Sequence, residues 1–198
     1  GPPSLRRWHI DLTLAQVDRH YKEALTTYHS AISARNRLLK KIRDGLAKVS
    51  ELDFWTNTAL QSGQIVSEKR RHFFRELNKQ DGFKFIYQEN VLSTERLEKY
   101  LPREIAACAS LIGPHRDDFY FEFRGKNLAH FGSRGEQRTA VLQLKIAELY
   151  FIKELKGVMP LLLLDDVFSE LDEGHRQHVT SVINGQQTIM SAVEESQV

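Results

Sequence analysis

Two aspartates close an unbroken leucine run in LLLLDDVFSELD, residues 161–172. Burying a carboxylate pair is costly unless something cationic meets it. Asp165 and Asp166 at a strand end therefore point to a metal ion or a phosphate, or else to a cap for the helix that follows. Asp172 adds a third carboxylate six residues later. About thirty residues upstream stands a different group, Ser133-Arg134-Gly135-Glu136-Gln137, in a glycine-punctuated loop that opens a long amphipathic helix. A hydroxyl and glycine-freed amides at a helix N-terminus suit an anion, and they equally suit an ordinary cap. Gly113-Pro114-His115-Arg116-Asp117-Asp118 lies just before an aromatic strand. His115 and Arg116 there are candidate nucleotide contacts, with a loop-entry hydrogen-bond network as the alternative. His175 and His178 are one helical turn apart but have no third ligand near them, which favours a solvated helix face.

The elements that must position these residues divide the chain. Of 198 residues, 41% are hydrophobic and 27% charged, enough to bury a sizeable core. The net charge of +2 conceals an asymmetry: residues 1–80 hold 15 Lys+Arg against 8 Asp+Glu, and the remainder holds 13 against 18. A basic segment on an acidic body suggests a polyanion-binding arm. Arg35, Arg37, Lys40, Lys41, Arg43, Lys69, Arg70, Arg71 and Arg75 are its candidate DNA contacts, with a solvated charged face as the plain alternative. No apolar run reaches the roughly 20 residues of a membrane span, no signal-peptide core opens the chain, and Cys108 stands alone. A cytoplasmic location is expected.

Apolar positions Tyr21, Leu25, Tyr28, Ile32, Leu39, Ile42, Leu46 and Val49 alternate spacings of four and three, with Arg35 breaking the series. This 3.5-residue repeat predicts a coiled-coil seam. A second helix over 51–77, with Leu52, Trp55, Ala59, Val66, Phe73 and Leu77 inside, folds back as an antiparallel hairpin whose turn lies near 49–53. Residues 1–80 are thus expected to form a helical arm. In 81–198, FKFIY (83–87) and FYFEF (119–123) read as strands, and 93–103 as a helix capped by Ser93. Leu161–Leu164 read as a fully buried strand, 173–183 as a helix and 188–192 as a last strand. The long helix after Gly135 carries its stripe on Val141, Leu144, Ala147, Leu149 and Ile152. Alternating helices and strands indicate an α/β body.

In order and spacing GPHRDD, FGSRGEQRTA and LLLLDDVFSELD resemble the RecF family, the recombination mediators of the ABC-type, SMC-like ATPase class. The opening GPPSLRRWHIDLTLAQVD is similar to the segment entering that family's helical arm. The resemblance implies the arm plus the C-terminal part of an ABC-type ATPase core. Ser133 to Gln137 would be the ABC signature, Asp165 the Walker B aspartate linked to Mg²⁺ through water, Asp166 the carboxylate that positions or activates water, and Asp172 the end of the D-loop. ATP and Mg²⁺ are the implied cofactors, and DNA at gaps or junctions the implied ligand. RecR, RecO and, functionally, RecA are the implied partners of an ATP-dependent homodimer. G-x-x-x-x-G-K-[ST], the phosphate-cradling motif, does not occur in the chain. Alone, it is expected to hydrolyse nothing. The family's lobe carrying that motif is missing from it, and no histidine follows 188–192 to sense a γ-phosphate. The alternatives are a non-catalytic interaction module with a degenerate body, or another SMC-like repair ATPase with a longer coiled coil.

Overall fold

The computed structural model describes residues 1–79, 82–165 and 187–191. Three helices open the chain: α1 (Pro3–Val17), α2 (Arg19–Arg43) and α3 (Asp53–Leu77), the last preceded by a 3-10 turn, Val49–Leu52. Strand β1 (Lys84–Gln88), helix α4 (Thr94–Ala107), a 3-10 turn (Pro114–Arg116), β2 (Asp118–Phe123) and β3 (Lys126–Asn127) follow. Then come α5 (Leu128–Phe131), α6 (Arg134–Lys156), β4 (Leu162–Asp165) and β5 (Thr188–Ser191). Two compact units result: residues 1–73 with 87–119, and residues 74–86 with 120–198. Residues 87–119, expected in the body, thus group with the long helices.

In the first unit Asp18 separates α1 from α2. Its extended backbone donates N–H to the Leu14 carbonyl, ending α1, while its Oδ1 accepts from the Tyr21 amide at 3.0 Å, starting α2. The cap satisfies one of the donors that a helix start leaves without an intrahelical partner. Helices α2 and α3 run antiparallel, since Asp18 meets Lys69, Tyr21 meets Arg70 and Arg35 meets Thr56. Tyr28, Ala31, Ile32 and Ala59 form the apolar centre, with Trp55 and Leu92 packed on it. Of the expected seam positions Tyr21, Tyr28, Ile32 and Leu39 are buried, whereas Leu46 is 77% and Val49 46% exposed. Past Arg43 the chain has left the helix, and the connection spans 44–52, starting earlier than the spacing suggested.

In the second unit β1, β2 and β3 form a sheet in that order, with β2 and β3 antiparallel. Phe83, Leu128 and Ala140 pack with Phe121 and Phe123. Asn78 pins β1, its amide donating to the Phe85 carbonyl and accepting from the Phe85 N–H. β4 and β5 pair in parallel, Leu162 opposite Thr188 and Asp165 opposite Ser191. A fully buried 161–164 is corrected here: Leu164 is 8% exposed, but Leu161 is 48% and Leu163 67%. Alternation along a strand turns Leu163 to one face and Leu164 to the other, and only the second face is covered among the described residues. Val141 also falls outside the expected α6 stripe, at 48% exposure. The expected helix over 173–183 and the end of the last strand at Ala192 lie outside the described residues. Among the described residues, no helix is long and apolar enough to cross a membrane.

Ile32 (8% exposed) sits in the helix interface, whereas Lys40 is exposed. Ile32→Asp places an unpaired carboxylate in that interface and should cost about 3 kcal/mol or more, lowering Tm by roughly 10 °C. Lys40→Asp should shift Tm by less than about 2 °C. Thermal melts that moved equally for both would contradict the packing.

Candidate nucleotide and DNA contact residues

The GPHRDD segment is built into the first unit by charge. Arg70 on α3 is 1% exposed. Its Nη1 donates to Asp117 Oδ2 and to the Pro114 carbonyl, each at 2.7 Å, its Nη2 to Asp11 Oδ1 at 2.7 Å, and its Nε to the Tyr21 hydroxyl at 3.1 Å. Burial works against this cation, but Tyr21, Asp11, Asp117 and Tyr87 around it lift its pKa well above the ordinary value. Asp117 also accepts from the Asn90 amide at 2.7 Å and from the Tyr87 hydroxyl. Burial holds its carboxyl above the usual range, against the pull of Arg70, Tyr87 and the Asn90 amide. Arg6 of α1 grips Asp118 with two bonds of 2.7 Å, and Arg7 donates to the Asp117 carbonyl at 2.8 Å.

His115 belongs to the same network. Its Nε2 lies 3.0 Å from the Ser110 carbonyl, which can only accept, so Nε2 carries the proton and Nδ1 accepts from the Tyr28 hydroxyl at 2.6 Å. Burial drives its pKa down to about 4; the Ser110 bond opposes the shift, and Arg116, His29 and Arg7 add to it. Arg116 is exposed and donates Nη2 to the same carbonyl at 3.1 Å. Gly113 must be glycine here, having φ +117° and the Tyr28 hydroxyl where a Cβ would sit. His115 and Arg116 are thus engaged by the loop-entry network.

Two candidate DNA contacts are corrected by burial. Arg70 is consumed as described. Arg35 is 2% exposed, with Nη2 2.7 Å from Glu104 Oε2, Nη1 donating to Ser110 Oγ at 3.0 Å and Nε to Thr56 Oγ1 at 3.2 Å. The Glu104 contact is an ion pair whose angle falls short of a well-directed hydrogen bond. Neither guanidinium reaches the surface, so neither can touch a phosphate. Arg37, Lys40, Lys41, Arg43, Arg71 and Arg75 are exposed, and Lys69 is partly so. Lys69 pairs with Asp18 at 2.8 Å, Arg71 with Glu89 at 2.8 Å and Arg43 with Asp44 at 2.9 Å.

In the second unit Ser133 caps α6 through a reciprocal box: Ser133 Oγ accepts from the Glu136 amide at 3.2 Å, and Glu136 Oε2 accepts from the Ser133 amide at 2.8 Å. The Ser133 amide, and then the Ser133 hydroxyl, hold the Glu136 carboxyl below its usual range. Ser133, Arg134, Gly135 and Gln137 are exposed, and open space surrounds Gly135 where a side chain would be. The Arg134 and Gly135 amides, in the first turn, have no intrahelical acceptor. Gln137 Nε2 donates to the Leu128 and Gly132 carbonyls, tying the loop to the helix. Asp165, exposed at the end of β4, accepts from the Ser191 hydroxyl at 2.6 Å. Sequence reading missed Ser191; its place at the end of the strand paired with β4 was the available signal. Asp166, Asp172, His175 and His178 lie outside the described residues. Among the described residues, no group of three His, Cys, Asp or Glu side chains could hold a metal.

No protein-family model matches the chain. It is similar to curated proteins described as DNA replication and repair protein RecF. It is 38% identical to the one from Moorella thermoacetica over 200 residues, covering 93% of this chain and 54% of the relative. It is 34% identical to that of Lachnoclostridium phytofermentans, covering 96% and 57%. Among solved structures it superposes on the recombination mediator RecF bound to ATP in the RecFOR pathway, with a TM-score of 0.84, 27% identity, and coverage of 98% of this chain and 59% of the other. The chain spans a little over half the length of the relatives it matches.

The buried imidazole sets a pH dependence. His115 has a pKa of about 4 in the fold against 6.5 for the free group. Between these values the unfolded chain takes up a proton that the native state refuses, so stability falls as pH drops from about 6.5 to about 4. The expected loss from this group is at most about 3 kcal/mol. His115→Gln should be less stable at neutral pH and should decline less steeply across this window in urea titrations. An unchanged slope would contradict a buried neutral His115.

Proposed function

The chain belongs to the RecF family, and on that premise we propose that it is the helical and signature-bearing part of an ATP-dependent DNA-binding clamp acting in recombinational repair and gap processing. The observation that carries the reading is the exposed start of α6. Arg134 and Gly135 present first-turn amides on an exposed helix start, with open space at Gly135, a geometry that can receive phosphate oxygens from a second subunit. The Glu136 carboxylate occupies the Ser133 amide, leaving the Arg134 and Gly135 amides for an outside anion and Arg134 to offset the carboxylate's charge.

ATP, when bound between subunits, supplies phosphate charge that the Ser133–Gln137 segment recognises only in the closed dimer. A ligand with that differential affinity shifts the dimer toward closure, and losing the γ-phosphate removes the bias. The Asp165 carboxylate is a hard oxygen donor at a strand end and fits an Mg²⁺ ion reached through water. Ser191 fixes its orientation. Asp166, next in sequence, is assigned to hold the attacking water, and Asp172 to the D-loop. Exposed Arg37, Lys40, Lys41, Arg43, Arg71 and Arg75, with the partly exposed Lys69, supply sequence-independent contacts to DNA phosphates. RecO and RecR are the proposed partners and RecA loading the proposed outcome, in the cytoplasm.

The test uses the complete polypeptide containing this segment. Asp166→Asn should lower turnover by about 100-fold or more while sparing ATP-driven dimerisation, because an amide cannot accept the proton of the attacking water. Ser133→Arg should leave ATP binding intact and prevent closure. Mixing the two variants should restore part of the activity, since both lesions then fall in one of the two shared sites. Stable mixed dimers with no recovered ATPase activity would contradict the reading.

A further inference from the structure

Helix α4 carries a charged face that the network described above does not use. Arg96, Lys99 and Arg103 fall within about 60° of arc at 3.6 residues per turn, and Tyr100 lies beside them. Lys99 and Arg103 are exposed; Arg96 and Tyr100 are partly so. The ring of Tyr100 has the Arg96 guanidinium 5.7 Å and the Arg103 guanidinium 5.9 Å from its centroid. Cation–π attraction at these distances holds two flexible side chains near one ring and lowers the ordering cost of binding a further ligand. Arg96 is further fixed by a bond to the Val91 carbonyl.

The remainder of α4 accounts for its other charges. Glu104 is buried against Arg35. Glu98 points to a different side, lining a cavity of ≈ 380 Å³ with Leu97 and Leu101. Glu95 is tied to its own N-terminal turn, where the Ser93 hydroxyl holds its carboxyl low. Glu95 lies one turn before Lys99 and borders the cationic face at its N-terminal edge, whereas Glu98 and Glu104 lie off it. Helix α4 lies beside α2, whose Arg35 meets Glu104 and whose Asn36 Oδ1 accepts from the Ser110 amide just past the end of α4; Arg43, paired with Asp44, is exposed in the last turn of α2. Lys40, exposed, stands one turn before Arg43 on α2.

We propose that the Arg96–Lys99–Tyr100–Arg103 face of α4 is a nucleic-acid backbone site, continuous with Arg43 and Lys40 of α2, on which the two tyrosine-ordered guanidinia and Lys99 receive consecutive phosphates. Arg96 and Arg103 are seven residues apart, about 10 Å along the helix axis. That span covers more than one phosphate step of a strand, so the site grips a length of backbone and no base edge. The site rests on the DNA-binding reading given above and deepens it, giving the polyanion a second row of cations beside those of α2.

The experiment measures binding of a fluorescein-labelled duplex oligonucleotide to the chain by anisotropy, over a series of salt concentrations starting low. The double variant Lys99→Glu/Arg103→Glu should weaken binding about tenfold or more at low salt and reduce the slope of log affinity against log salt by about 2, one for each phosphate that is no longer neutralised. Its thermal melt should match the wild type, since both side chains are exposed. Tyr100→Leu keeps every charge and removes the ordering ring; it should weaken binding a few-fold and leave the salt slope unchanged. Lys40→Glu/Lys41→Glu is the parallel arm for α2. Loss of binding in the α2 variant with wild-type affinity and slope in the α4 variant would overturn the α4 site while leaving the DNA-binding reading in place. A wild-type chain that binds no duplex even at low salt would overturn both.

Discussion

One guanidinium organises the first unit. Arg70 comes from the middle of a long helix and is met by Asp11 from α1, Tyr21 from α2, and Pro114 and Asp117 from the loop before β2. A buried charge of this kind stabilises only where its donors find acceptors, because each unmet donor would carry its own desolvation cost. Arginine suits the position: its planar fork keeps its charge and reaches several acceptors at fixed angles. Segments distant in sequence are thereby held to one arrangement. Asp117 in turn receives Tyr87 and Asn90, so the network also fixes the chain leaving β1. Arg35 repeats the device further along α2, joining α3, α4 and Ser110.

Placing two cations inside changes what the surface can do. The excess positive charge of the first 80 residues is partly used within the fold, and several exposed cations are shared with nearby carboxylates. Exposed cations stand on the last turns of α2, on α3 at Arg71 and Arg75, and on the outer face of α4. In the second unit the polarity is arranged differently. A reciprocal cap opens α6, with open space around Gly135 beside it. Gly132 before the cap is required, because a Cβ there would meet the Leu128 carbonyl at 2.8 Å. The Ser133–Glu136 box thus makes a stable helix start by itself.

Much of this was legible, though not always under the right heading. The 3.5-residue repeat marked position 35 as the break in the α2 series, and that break is an inside position carrying a charge. On α3 the spacing from Val66 to Phe73 and Leu77 likewise leaves room for position 70 inside. Arginine looks like a surface residue from its type, and the carboxylates that admit it, Glu104 and Asp117, are 69 and 47 residues away. Periodicity could indicate burial but could not supply those partners. The Ser133–Glu136 box was readable because both halves are local. The exposure of Leu161 and Leu163 was not, since an apolar run says that faces are apolar without saying which neighbours cover them. The Tyr100 ring between Arg96 and Arg103 was not read from the sequence, because its meaning depended on Glu98 and Glu104 being directed elsewhere.

The central claim is that Arg70 and Asp117 act as a coupled pair that holds the GPHRDD loop to the helices. A double-mutant cycle in urea measures it directly, using Arg70→Met, Asp117→Asn and both together. The account predicts that each single change costs about 3 kcal/mol or more, because each strands a buried partner, and that the double variant costs much less than their sum, a coupling of about 2 kcal/mol or more. Additive losses, with no coupling between the two sites, would contradict it.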